Sequence, residues 1–281
     1  MFSFLKQNWF RIGMLFCALL IAFSSVYYYV YLPTKTKEVS QPILQVANPE
    51  TKEDLSRSAK AEEEKVNKLS TGVDLGYFKS ILGEPVFVNN VGEPQDILDI
   101  YKRSEQCKNS QEQKEFIFVN NLFFVQAITN KNNAVIEYAV TTRRADFNPK
   151  FKFWNGEREV EVVLGKSNFF AAISDPPEKI DYYCGAHNFG YDEEHYFGNP
   201  GNYQSYIFAN NQAGIPGSTI ACAINSLQNS PTPISPDRPE LKELRKKAII
   251  NTYAVTAPQV DIENLCFGIG PTYDQVRVLG K

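Results

Sequence analysis

Histidine is almost missing from this chain. Of its 281 residues only His187 and His195 carry an imidazole, which excludes multi-histidine metal centres and leaves little material for imidazole-based proton transfer. An excess of positive charge is missing too: 29 basic against 32 acidic side chains give a net charge of −3, so broad neutralisation of phosphates is excluded and no nucleic-acid partner is expected. The phosphate-loop pattern GxxxxGKS fails at its first glycine, because Val160 stands where that glycine belongs ahead of Gly165-Lys166-Ser167. A lipoprotein signal is absent, since Cys17 follows a phenylalanine inside an apolar run. No carboxylate pair for glycoside chemistry can be singled out among so many acids.

What is present begins with residues 12–32, IGMLFCALLIAFSSVYYYVYL, an uncharged run of 21 positions. At about 1.5 Å per helical residue it is long enough to cross a hydrocarbon core of roughly 30 Å. Lys6 and Arg11 precede it, and Tyr27, Tyr28, Tyr29 and Tyr31 crowd its far end, where aromatic rings favour the headgroup level. A cleaved signal peptide ending near Ala22 and Ser24 competes with this assignment, but it would leave a tyrosine-rich start to the mature chain, so an uncleaved signal-anchor is favoured. Lys35 and Lys37 balance the basic residues before the span, and the free amino terminus tips the orientation inward. Residues 1–11 are then cytoplasmic and the remainder lies outside the cytoplasm, in the single-pass topology of an inner-membrane protein. Cys107, Cys184, Cys222 and Cys266 are an even set that suits two disulfides in an oxidising compartment, with three pairings open; four buried thiols in a cytosolic domain are the alternative.

Residues 33–69 form a linker and stalk. The polar, proline-punctuated start is followed by TKEDLSRSAKAEEEKVNKL, whose Leu55, Ala59, Glu62, Val66 and Leu69 predict a short docking helix. A soluble α+β domain is expected over 70–281, with antiparallel sheet covered by short helices. Asp74 can cap a helix that Gly83 and Pro85 end, with a strand at 86–88. Residues 116–128 and 134–142 predict a long antiparallel hairpin around TNKNN, with a bulge or a break into two shorter strands at Asn120 and Asn121. Further strands are expected at 159–164, 203–209, 251–257 and 274–279, and a helix opened by Asp237 in DRPELKELRKKAII, whose Arg245, Lys246 and Lys247 are assigned to a solvated face. GVDLGYFKSILGEP is echoed by GKSNFFAAISDP, and FIFVNN by YIFANN, which suggests two repeats over 70–150 and 160–281.

GVDLGYFKSILGEP resembles the opening helix of the SmpA/OmlA envelope-lipoprotein superfamily, at residues 72–85. Over most of 72–279, through YFKSILGEPVF, EFIFVNNLFFVQAIT, YAVTTR, YFGNPGNYQSY and GIGPTYDQVRVL, the chain resembles a bacterial family of single-pass membrane-anchored proteins of unknown function. The resemblance implies a small α+β unit, duplicated if the echo is real, that makes protein contacts in the periplasm. It brings neither catalytic residues nor a cofactor. The chain departs from the superfamily in lacking a lipidation cysteine, so outer-membrane anchoring is not implied.

The most chemical stretch is CGAHNFGYDEEHYFGNPGNYQSY, residues 184–206. Cys184, His187 and His195 are candidate metal ligands, with Asp192, Glu193 and Glu194 to complete a site, and Cys184 with either histidine is a formal nucleophile pair. Against both stands a plainer assignment, in which Asn199-Pro200-Gly201-Asn202 is a type II turn and the surrounding aromatics close a core under a long loop or, if exposed, grip a sugar or peptide. The expectation is a non-catalytic envelope protein that binds a protein or cell-wall partner and needs no cofactor. The alternative is a membrane-tethered hydrolase or metal-dependent enzyme centred on 184–206.

Overall fold

The computed structural model describes residues 52–90, 112–184, 189–215, 235–262 and 265–278. All belong to one of the two units into which the chain divides, Thr51–Lys281. In order, the elements are α1 (Lys52–Val66), α2 (Leu75–Leu82), β1 (Phe87–Asn90), β2 (Lys114–Val119), β3 (Phe123–Thr129), β4 (Val135–Thr142), β5 (Lys150–Trp154) and β6 (Glu159–Val163). Then follow α3 (Phe169–Ala172), β7 (Lys179–Cys184), β8 (Phe189–Asn199), β9 (Asn202–Asn211), α4 (Pro239–Lys247), β10 (Thr252–Thr256) and α5 (Tyr273–Val278). The class is α+β: eight strands form one antiparallel sheet in the order β1-β2-β3-β4-β10-β9-β8-β7, and β5–β6 is a separate hairpin. Among the described residues no helix is long and apolar enough to cross a membrane; the run at 12–32 lies outside them.

Local chemistry accounts for the boundaries. The carboxylate of Asp74 accepts from the Gly76 amide at 2.7 Å, Gly83 closes α2 at φ 87°, and Pro85 cannot continue it. The run FIFVNNLFFV makes two strands, because Leu122 N donates to Asn120 Oδ1 and Asn120 N donates to Phe123 O, folding the chain back; the break at Asn120 and Asn121 gives a three-strand meander. The expected strand at 274–279 is instead α5. Thr272 and Gln275 cap its start reciprocally, with Thr272 N donating to Gln275 Oε1 at 2.7 Å and Gln275 N to Thr272 Oγ1 at 3.3 Å.

The sheet reads 1-2-3-4 inward from one edge and 7-8-9-10 inward from the other. Its two halves meet at β4 and β10, where the identical tetrapeptides Tyr138-Ala139-Val140-Thr141 and Tyr253-Ala254-Val255-Thr256 run antiparallel with Ala139 opposite Ala254. The same equivalence holds where each half begins. Gly72 N donates to Val135 O (2.7 Å) and Gly165 N to Ile250 O (2.8 Å), and both glycines have φ near +80°. Asp74 and Asn168 each cap a helix and bridge a residue shortly before the central strand, Ala134 one position and Ile249 three positions ahead of it. By contrast, FIFVNN ends β2 and YIFANN ends β9, which hold different places in their halves.

The two faces of this sheet differ. One carries the large side chains of β2, β3, β4, β10, β9 and β8 and is covered by α1, α2, the β5–β6 hairpin, α3 and α4, through residues such as Val66, Phe78, Phe153, Phe169 and Leu244. The other mixes small and polar side chains, Ala139, Thr141, Thr252, Ala254, Thr256, Ser205 and Ala209 with Glu115, Glu137, Asp192 and Glu194, with the buried apolar Ile117, Phe124, Ile128 and Ile207. After β10 the chain turns, with Val260 N donating to Ala257 O and Gln259 at φ 67°, and returns across this second face. Gln126 holds the returning chain at both ends of its amide, donating to Gly268 O and accepting from Gly270 N, while Asn211 Nδ2 donates to Ile269 O.

Candidate functional site

The stretch read as a long loop under aromatics is mostly strand. β8 runs through it, paired with β7 on one side and β9 on the other, and the turn at 199–202 joins β8 to β9 as Pro200 and Gly201 (φ 87°) require. Strand alternation then sorts its chemistry between two faces. Tyr191, Glu193, His195 and Phe197 point into the main core; Asp192, Glu194 and Tyr196 point to the second face.

On the core side, Glu193 is the centre of a closed charge cluster. Its Oε1 accepts from Arg245 Nε at 2.7 Å and from the Tyr191 hydroxyl; its Oε2 accepts from Arg245 Nη2 at 3.1 Å and lies 3.2 Å from His195 Nε2. Each oxygen thus has two partners, which fills the hydrogen-bonding capacity of a carboxylate. Arg245 also donates to the carbonyls of Ile173 and Asp175, so this one guanidinium, coming from α4, ties the end of α3 to β8. Glu193 and His195 are 0% exposed and Arg245 5%. The imidazole lies parallel to Phe197, with centroids 5.3 Å apart, and its Nδ1 has no partner, which assigns the proton to Nε2. Burial, then the Glu193 charge, push the Tyr191 phenol well above its ordinary range. What the cluster does chemically is neutralise and fix itself.

Placing Arg245 here corrects its assignment to a solvated face: it is the buried member of the basic run, while Lys246 pairs with Glu243 at the surface. Of the suggested ligands and nucleophile pairs, Cys184 and His195 are not drawn together. Cys184 is opposite Phe189, and His195 lies six residues further along β8, about 20 Å away at roughly 3.3 Å per residue. His187 lies outside the described residues, as do Cys107 and Cys222. Among the described residues no three His, Cys, Asp or Glu side chains are arranged to hold a metal ion. Cys266 is buried on the returning chain, where its amide donates to Gln113 Oε1.

On the second face, Tyr196 and Tyr203 stand at the β8–β9 end of the sheet. Their rings stack 5.6 Å apart at 19°, and they stay 51% and 40% exposed. The Tyr196 amide donates to Glu178 Oε2 and the Ser205 hydroxyl to Glu194 Oε1 at 2.6 Å, so the pair is seated in an acidic margin on fixed backbone. Burial raises the Glu194 carboxyl above its ordinary range, and Asp261 and Glu178 add to this against the pull of Ser205 and Lys179. Asp192 is held well up by burial and by Asp181, and although the residue keeps partial contact with solvent its Oδ2 is enclosed without a partner. Glu137, enclosed in mid-sheet, is raised by burial and then by Glu115 and Asp192.

Sequence reasoning missed Arg245 and Glu137. The first had a signal, because Leu241, Leu244 and Arg245 share one helix face; the second had one in its place beside Tyr138 and Ala139 within a buried strand. Compared with protein-family models, curated proteins and solved structures, the chain matches none.

Proposed function

We propose that this is a single-pass membrane protein, anchored by residues 12–32, whose domain lies outside the cytoplasm and binds a protein or cell-wall partner without catalysing a reaction. The domain is built from two tandem copies of one helix-plus-strands unit, of the kind the SmpA/OmlA resemblance implies. The paired Tyr-Ala-Val-Thr segments, the matched glycines and caps, and the inward 1-2-3-4 and 7-8-9-10 strand orders support the duplication.

The observation that carries the binding function is the Tyr196–Tyr203 pair. Large aromatic rings left half-exposed on rigid strands lose little conformational entropy on contact and are enriched at interfaces. The polar chemistry of the same stretch supports this choice, because Glu193, His195 and Arg245 are consumed in packing. The test is cosedimentation of the full-length protein, in detergent, with isolated cell-wall sacculi, and crosslinking to its neighbours in native membranes. Both are compared with a Tyr196→Ser/Tyr203→Ser variant. Loss of one of these associations in a variant that keeps its thermal transition is the expected result; unchanged association would remove the tyrosine pair from the interface.

A further inference from the structure

We propose that the partner of the Tyr196–Tyr203 face is a basic segment of another protein, which sets arginine side chains on the two rings and against the carboxylates beside them; this rests on the tyrosine pair being the contact surface. β8 and β9 hold the rings on one face of the sheet, with Tyr196 opposite Ser205 and Tyr203 opposite Gly198. The charge around them is of one sign. Glu194 stands two positions before Tyr196 on the same face, its Oε1 accepting from the Ser205 hydroxyl at 2.6 Å, and Glu178 Oε2 accepts from the Tyr196 amide at 3.2 Å. Asp261 and Glu178 both repel Glu194, and further along the same strands Asp192 faces Asp181. Among the described residues of β7, β8 and β9 that turn to this face, Lys179 is the only cation; it lies opposite Glu194 and already acts on both Glu194 and Asp192.

The contrast with the neighbouring position is instructive. Glu193, turned to the core, has its countercharge within the chain, in Arg245. Glu194, turned to the surface, has no guanidinium beside it, so a planar cation for this margin has to arrive from outside. The rings ask for the same sign, because the face of an aromatic ring carries the negative part of its quadrupole. A guanidinium meets both demands at once: it lies flat on a ring, its fork of N–H donors matches a carboxylate, and it sheds water more readily than an ammonium. An acidic segment or an anionic wall polymer would be repelled by the carboxylates and by the ring faces. A neutral glycan could stack on the tyrosines, but it would leave the carboxylates without a role.

The test uses the full chain in its native membranes, with a photoreactive phenylalanine analogue at position 203. The adduct is cut with a protease that cleaves at acidic residues, so that basic side chains stay within the fragments, and the joined peptide is sequenced by mass spectrometry. The expected result is a joined segment of net positive charge that contains arginine, and an adduct yield that declines as salt is raised. In Glu178→Gln/Glu194→Gln the yield should fall by about fivefold or more. Glutamine keeps an acceptor for the Tyr196 amide and for the Ser205 hydroxyl, so the variant removes charge and leaves those two hydrogen bonds in place. A joined segment without basic residues, an adduct released by a cell-wall hydrolase, or a yield indifferent to salt would overturn the proposal and leave the tyrosine pair as the contact surface. An unchanged yield in the folded double variant would do the same. No adduct at position 203 would remove the surface itself, and the proposal with it. The sequence of the joined peptide and the salt series are read with both carboxylates in place, so they decide the matter even if the double variant does not fold.

Discussion

Arg245 shows what one residue can hold. It reaches from α4 to a carboxylate on β8 and to two carbonyls beyond α3, and it is the countercharge to Glu193 in a buried site. Arg245→Ala leaves that carboxylate enclosed and unpaired, with an expected cost of about 3–5 kcal/mol in chemical denaturation. Joint replacement, Arg245→Met with Glu193→Leu, is expected to recover most of the loss, because it is the orphaned charge that destabilises. A double variant as unstable as the single one would mean that the packing of the guanidinium, and not its charge, holds α3 and α4. Composition could not reveal this pairing, since Glu193 and Arg245 are 52 positions apart and meet only once the fold exists.

At the scale of elements, the sequence was most legible where a single residue dictates a backbone event. Asp74, Gly83 and Pro85 bound α2 as their chemistry requires, and Asn199-Pro200-Gly201-Asn202 makes its turn. It is least legible where aromatic strands sit among turn residues, as in β7 and β8, and where a side-chain cap outweighs β-branched propensity, as Thr272 and Gln275 do for α5. The likeness between the two halves of the sheet is clearer in Tyr-Ala-Val-Thr than in FIFVNN and YIFANN, but only the register shows that those two segments face each other. The matched glycines give a test of local geometry. Both need positive φ, yet a Cβ at Gly165 would lie 2.7 Å from Ile215 Cδ1 and 2.9 Å from Asn148 Nδ2, while one at Gly72 meets nothing within 4 Å. Gly72→Ala is therefore expected to cost about 1 kcal/mol, from backbone strain, and Gly165→Ala distinctly more, by thermal or chemical denaturation. Equal costs would contradict the closer packing around the second glycine.

For the whole molecule, the sheet divides labour between its faces. The aromatic face, under its helices and hairpin, supplies the larger core; the other combines small residues and carboxylates with the buried Ile117, Phe124, Ile128 and Ile207 and two exposed tyrosines, beneath and beside the returning chain. That division explains why the one stretch with conspicuous chemistry yields packing on its odd positions and surface on its even ones. A partner-binding domain held at a membrane is the account that uses both. It is tested most directly by site-specific photocrosslinking in native membranes, with a photoreactive phenylalanine analogue in place of Tyr203 and, as a control, in place of Lys152 on the exposed side of the β5–β6 hairpin. The account predicts a discrete adduct from position 203, made outside the cytoplasm, and none from position 152. No adduct at 203, or the same adducts from both positions, would contradict it.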